Sequence, residues 1–141
     1  MSKALNSILA SHTVLAVDDE ADSLMVCRVL LEMYGATVIT ANNGTQALAL
    51  AKEHQPDLIV SDLSMPKMDG WQLLKYLREY DDLKDIPVIA LTAHAMAGDR
   101  DKALKAGFDN YLTKPLIPEN FHKELAKILT ETPAIATRLN L

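Results

Sequence analysis

The chain has 141 residues, enough for one domain that buries roughly two-thirds of its unfolded surface. Its hydrophobic fraction of 49% and charged fraction of 23% are ordinary for a globular protein. A net charge of -5 argues against a general nucleic-acid binder, which carries a basic patch. No apolar run approaches the ~18 residues of a membrane helix. Met1 to Thr13 lacks the continuous apolar core of a signal peptide. Cys27 is alone, which rules out an intramolecular disulfide and suits the cytoplasm; it reads as a small buried hydrophobe. His12, His54, His94 and His122 have no cysteine at metal-site spacing, so a zinc site is not expected.

Val14 to Val17 reads as a first strand and ends in Asp18-Asp19-Glu20. Ala21 to Tyr34 is helical, with Leu24, Cys27, Leu31 and Tyr34 on one stripe, and Gly35 stops it. Ala36 to Thr40 is rich in β-branched residues and is the second strand. After the turn Asn42-Asn43-Gly44, Ala47, Leu50 and Ala51 mark a second helix that ends before Gln55-Pro56. Leu58, Ile59 and Val60 form a strand apolar on both faces, as parallel sheets require, and Asp62 follows. Pro66 and Gly70 make a loop of Ser64 to Asp69 before a helix over Trp71 to Tyr80, where Leu73, Leu74 and Leu77 face inward and Trp71 packs. Ile86 to Leu91 is the fourth strand, with Thr92 after it. His94 to Ala106 reads as a helix with a thin apolar stripe, Ala97 and Leu104, which makes it a less stable element. Tyr111 and Leu112 belong to a fifth strand closed by Lys114-Pro115. Pro118 opens the last helix, with Phe121, Leu125, Ile128 and Leu129 inside. Thr130 to Leu141 is a short tail.

Strands alternating with helices imply a parallel sheet covered on both faces. All strands then point the same way, and the residues that follow them meet at one edge, where such sheets bind ligands. Asp62 alone is equally well a solvated strand-end residue or a helix N-cap. Together, Asp18, Asp19, Asp62, Thr92 and Lys114 are hard to explain by stability, because clustered carboxylates repel one another. A hard cation relieves that repulsion, and Mg²⁺ suits a site with few carboxylates, waters and phosphate oxygens. A carboxylate can attack phosphorus once the phosphoryl oxygens are neutralised, giving an aspartyl phosphate. Lys114 and the Thr92 hydroxyl can supply the remaining charge and donor, and the Ser64 carbonyl is placed to join Asp18 and Asp19 at the metal.

On Asp18-Asp19, Asp62 with Met65-Pro66 and Asp69-Gly70, Thr92-Ala93 and Lys114-Pro115, the sequence resembles the receiver domains of two-component response regulators, from Thr13 to about Leu129. The resemblance implies a flavodoxin-like, doubly wound α/β fold: a five-stranded parallel sheet of order 2-1-3-4-5 with five helices. It places a receiver domain over residues 13–130, between an extension at 1–12 and a tail at 131–141. It implies Asp62 as phosphoacceptor, Asp18 and Asp19 as the acidic pair for Mg²⁺, Thr92 as switch hydroxyl, Lys114 as phosphate partner and Tyr111 as rotating aromatic. It further implies a cis Lys114-Pro115 bond, and Ser64 and His94 as the positions beside the attacking water that set phosphate lifetime. With no output domain following, the chain resembles the stand-alone type found in chemotaxis and cell-cycle regulation.

The expected function is a cytoplasmic phosphorylation switch rather than an enzyme. It takes phosphate from a sensor histidine kinase or histidine phosphotransfer protein and presents a changed face, helix 4–strand 5–helix 5, to a downstream protein; no nucleic acid or membrane partner is expected. One alternative is a relay intermediate that passes phosphate from Asp62 to a phosphotransfer protein. Another is a Mg²⁺-dependent phosphohydrolase, but the acid two residues beyond the nucleophile, usual in that class, is missing: Asp62 is followed by Leu63 and Ser64. No Gly-x-Gly-x-x-Gly follows the first strand, so dinucleotide binding is weakly supported.

Overall fold

The computed structural model describes residues 7–93 and 97–140. Five strands form one parallel sheet: β1 (Thr13–Val17), β2 (Thr37–Ala41), β3 (Leu58–Asp62), β4 (Val88–Thr92) and β5 (Asn110–Thr113). The strand order is β2-β1-β3-β4-β5, the doubly wound arrangement expected. The helices are α1 (Ala21–Glu32), α2 (Gly44–His54), α3 (Gly70–Glu79), α4 (Ala97–Ala106), α5 (Pro118–Glu131) and a short α6 (Pro133–Arg138). The sixth helix is additional to the five expected.

Strand side chains alternate between the two faces of the sheet. Val14, Ala16, Leu58, Val60, Ile89, Leu91 and Leu112 point into a core with residues of α1, α5 and α6. Leu15, Val17, Ile59, Val88 and Ala90 point into a second core with residues of α2, α3 and α4. Both faces are covered, which is why residues 14–17, 58–60 and 88–91 are continuous apolar runs rather than alternating with polar residues.

Local chemistry sets the helix ends. Asn43 accepts a bond from the Gln46 N–H at 2.7 Å and starts α2. Asp69 and Gln72 cap each other reciprocally at the start of α3. Pro118 and Pro133 each sit in the first turn of their helices, where a missing N–H costs nothing. Helix α1 ends before Gly35, whose φ of 96° is the left-handed conformation glycine adopts freely.

The inner face of α4 differs from expectation. Leu104 is 39% exposed, and Ala103 is the buried residue, packed in the same core as Phe108. One residue is 100° of helix, so reading the stripe from the larger side chain turned the helix outward. The side chain of Ala97 and the residue His94 lie outside the described residues.

Both ends of the chain join the core. Leu9 is fully buried, its N–H donates to the Tyr34 carbonyl at 2.8 Å, and it shares a core with Ile135 and Leu139. At the N-terminal edge of the sheet, Arg78 donates to the carbonyls of Lys84, Ile86 and Gly107 and to Asp109 Oδ2. Asp109 Oδ2 also accepts from the Val88 N–H at 2.8 Å.

Candidate functional site

Register assembles the site. Val17 pairs with Ser61, Asp62 with Leu91, and Thr92 with Thr113. Asp18, Asp62 and Lys114 therefore project from neighbouring positions along the carboxyl edge. Ladder bonds continue past the strands and hold the first loop residues: Asp18 N–H to the Ala41 carbonyl, Leu63 N–H to Leu91 and Lys114 N–H to Thr92. The Lys114-Pro115 peptide bond is cis.

The loop after β3 folds back tightly. Gly70 N–H donates to the Leu63 carbonyl at 3.0 Å. A Cβ on Gly70 would collide with the backbone carbonyl of Asp62, so this position admits only glycine without displacing the Asp62 backbone. The Met68 side chain packs where a Cβ on Gly44 would stand, so α2 and this loop are in close contact.

Lys114 is the hub. Its Nζ lies 2.9 Å from Asp18 Oδ2, 3.1 Å from Glu20 Oε1 and 3.3 Å from Asp62 Oδ2. Asp18 and Asp62 are buried. The Ser64 N–H donates to Asp62 Oδ1 at 3.2 Å, and the Glu20 N–H donates to Asp18 Oδ1 at 3.0 Å. Burial, then the charge of Asp18, pushes the Asp62 carboxyl up to about 6; Lys114 and the Ser64 N–H pull the other way and lose. Burial works to lower Lys114, but the surrounding carboxylates outweigh it and hold the ammonium above its ordinary range. Cys27, nearby in α1, is pushed up to about 12 by burial and then by Asp18, which leaves an inert packing thiol.

Carboxylate oxygens of Asp18, Glu20 and Asp62 lie within 4.8 Å of one another, an all-oxygen donor set. Asp18 Oδ2 is buried, and the Lys114 ammonium 2.9 Å away is its charge partner. A buried carboxylate beside two more carboxylates fits a hard divalent cation such as Mg²⁺.

The expected residues divide as follows. Asp18, Asp62 and Lys114 are in direct contact, and Thr92 is buried at the end of the adjoining strand. Asp19 is exposed at the rim and is not among the three clustered carboxylates. Ser64 is exposed and touches Asp62 through its N–H. Tyr111 is half-buried, with the Arg100 guanidinium 5.6 Å from its ring centre. Trp71 packs edge-on against Phe108 at 5.5 Å, as a core-lining residue. Glu20 was not anticipated; the run of three acids after β1 was its available signal.

This fold and this edge define the receiver class of signalling domain. The model of the response regulator receiver domain matches residues 14–126, and the chain belongs to that family. It is 38% identical over 117 residues to the polar-differentiation response regulator DivK of Brucella anthropi, covering 83% of this chain and 95% of that one. The chemotaxis protein CheY4 of Vibrio cholerae superposes with a TM-score of 0.76 at 33% identity, over 85% of this chain and 100% of that one. The receiver domain of the sensor histidine kinase PA1611 from Pseudomonas aeruginosa, with a magnesium ion in its active-site cleft, superposes with a TM-score of 0.75 at 30% identity. That match covers 94% of this chain and all of that one. The protein is thus a two-component signalling module, and no helix among its described residues is long and apolar enough to cross a membrane.

Proposed function

We propose that Asp62 accepts a phosphoryl group from a phosphohistidine donor, with Mg²⁺, and that the phosphorylated form presents an altered partner face. The observation that carries this reading is the contact of a buried aspartate at a strand end with Lys114, beside the second buried carboxylate of Asp18. An Asp62 Oδ attacks phosphorus, an O–P bond forms, the donor N–P bond breaks, and the leaving imidazole nitrogen keeps its electron pair and takes up a proton as needed. Mg²⁺, when bound by Asp18, Asp19, Asp62 and the Ser64 carbonyl, supplies positive charge to the phosphoryl oxygens. Lys114 supplies a second, fixed positive charge and Thr92 a hydroxyl donor. Hydrolysis reverses the attachment: a water oxygen bonds to phosphorus, the aspartyl O–P bond breaks, and inorganic phosphate leaves. Ser64 and His94 are assigned to that water path, His94 lying outside the described residues.

Two surfaces suit partners. Met25, Val26 and Val29 form an exposed apolar stripe on α1, continued by Met33 at its C-cap, which fits a helix of the phosphodonor. The face of α4, β5 and α5, with Arg100, Tyr111, Glu124 and Lys127 around one pocket, suits the downstream protein. The protein is assigned to the cytoplasm, where such donors work, over a receiver unit of residues 13–130.

The test is incubation with phosphoramidate and Mg²⁺ followed by intact mass. The wild type gains one phosphoryl group; Asp62→Asn and EDTA-treated protein gain none. Undiminished label on Asp62→Asn overturns the assignment.

A further inference from the structure

Glu20 stands at the N-cap of α1, yet its side chain makes no cap bond to its own helix. Its carboxylate instead reaches across the edge to Lys114 Nζ at 3.1 Å, while its N–H holds Asp18 Oδ1 at 3.0 Å. Residues at N-caps ordinarily use their side-chain oxygen on the first free N–H groups. Here that oxygen is spent on the lysine that the phosphoryl group needs.

We infer that Glu20 is a positioning residue that competes with the incoming phosphoryl group for Lys114. The inference rests on the phosphoacceptor reading of Asp62. In the resting site Lys114 faces three carboxylates. Asp18 and Asp62 are buried and stay beside it. The Glu20 side chain is 69% exposed, so it is the partner that can swing away. An arriving phosphoryl oxygen takes the place Glu20 vacates. The transfer is the one written above; Glu20 neither bonds to phosphorus nor exchanges a proton.

Removing the Glu20 contact therefore frees Lys114 in advance. Glu20→Gln is expected to take label from phosphoramidate about two- to fivefold faster, the range for an ion pair with one solvent-exposed partner. It is also expected to bind beryllofluoride, a non-covalent phosphoryl mimic, more tightly by a similar factor in the presence of Mg²⁺. Glu20→Asp separates contact from charge. It keeps the charge but is one methylene short of Lys114, so it should behave like Glu20→Gln if the contact matters.

Three results overturn the inference. The first is labelling and beryllofluoride binding unchanged in Glu20→Gln. The second is Glu20→Asp matching the wild type, which reduces the effect to net charge. The third is a Mg²⁺ affinity in Glu20→Gln that falls as far as in Asp19→Ala, which makes Glu20 a metal ligand. A wild type that takes no label overturns the phosphoacceptor reading itself, and that control is read before any variant.

Discussion

Lys114 Nζ stands 3.3 Å from Asp62 Oδ2, yet the Asp62 carboxyl rises to about 6 rather than falling. Burial and the neighbouring Asp18 outweigh the lysine. The folded-state value lies above the ordinary 3.8, so the folded protein holds a proton that the unfolded chain has already lost between those values. The stability this contributes is complete below about pH 4 and is lost as pH rises through about 6. Asp62→Asn removes the ionisation. In EDTA it should match the wild type near pH 4 and be more stable at pH 7, by on the order of 1–3 kcal/mol. Urea unfolding of both proteins across that range checks it, and a gap that does not widen with pH sinks the argument. Mg²⁺ should narrow the gap by favouring the ionised carboxylate.

The rim position of Asp19 makes its metal role testable. If Mg²⁺ recruits it as the second acid, Asp19→Ala should weaken binding by roughly tenfold, equivalent to ~1.4 kcal/mol. Titration calorimetry with MgCl₂ measures this directly. An unchanged affinity would remove Asp19 from the metal set and leave the buried carboxylates of Asp18 and Asp62 as donors.

The strands were legible because doubly covered parallel strands are short apolar runs between helical patterns, while their order came from the resemblance to receiver domains. Their ends were less so. Expected ends shifted by a residue or two, as at Thr37–Ala41, because ladder bonds rather than composition decide where pairing stops. That Asp62 and Lys114 meet at one edge followed from topology, since both follow strands pointing one way; their direct contact is visible only in the fold. Glu20 did not, because its partner is 94 residues distant and no local pattern encodes that reach. Leu9 and Ile135 were missed for a similar reason. Each lies in a segment too short to show a clear period, Leu9 beside Ile8 and Ile135 four residues before Leu139, and only their packing onto one core shows their role.

Leu9 gives a direct test of that packing. It is fully buried against a core that includes Leu30, Tyr34 and Leu139. Leu9→Ala should cost about 2–4 kcal/mol through lost transfer energy and the cavity left behind. The expected readout is a lower urea midpoint with an unchanged denaturant slope. A loss under about 0.5 kcal/mol, the size of an ordinary surface substitution, would show that the extension does not hold this place in solution.

Gly70 tests the loop that presents Asp62. A methyl group there meets the Asp62 carbonyl, so Gly70→Ala must move either the loop or the strand end. Phosphorylation requires the nucleophile in line with phosphorus, and small displacements are costly there, up to about a hundredfold for 1 Å. Gly70→Ala should therefore label at least about tenfold more slowly with phosphoramidate. A labelling rate equal to the wild type would show that the loop yields without disturbing Asp62.

On the proposed reading, the coupling from Asp62 to the partner face would run through Thr92 and Tyr111. Thr92 is buried at the end of β4, next to Thr113 across the ladder, and Tyr111 lies half-buried on β5 under Arg100. On that reading a phosphoryl group on Asp62 would draw the Thr92 hydroxyl toward it and vacate space behind β4. Tyr111 would then turn inward, and the surface of α4, β5 and α5 would change shape. Moving such an equilibrium from about 1:99 to 99:1 takes roughly 5.5 kcal/mol of differential interaction. Charge-assisted bonds of about 1.5–3 kcal/mol each, from Thr92, Lys114 and backbone donors, reach that sum together. Thr92→Ala should still accept phosphate, because the nucleophile and Lys114 remain. Its response should stop short: phosphorylation should alter amide exchange near Asp62 and much less over residues 100–113. Exchange across that stretch changing as fully in Thr92→Ala as in the wild type would mean that the signal leaves Asp62 by another route.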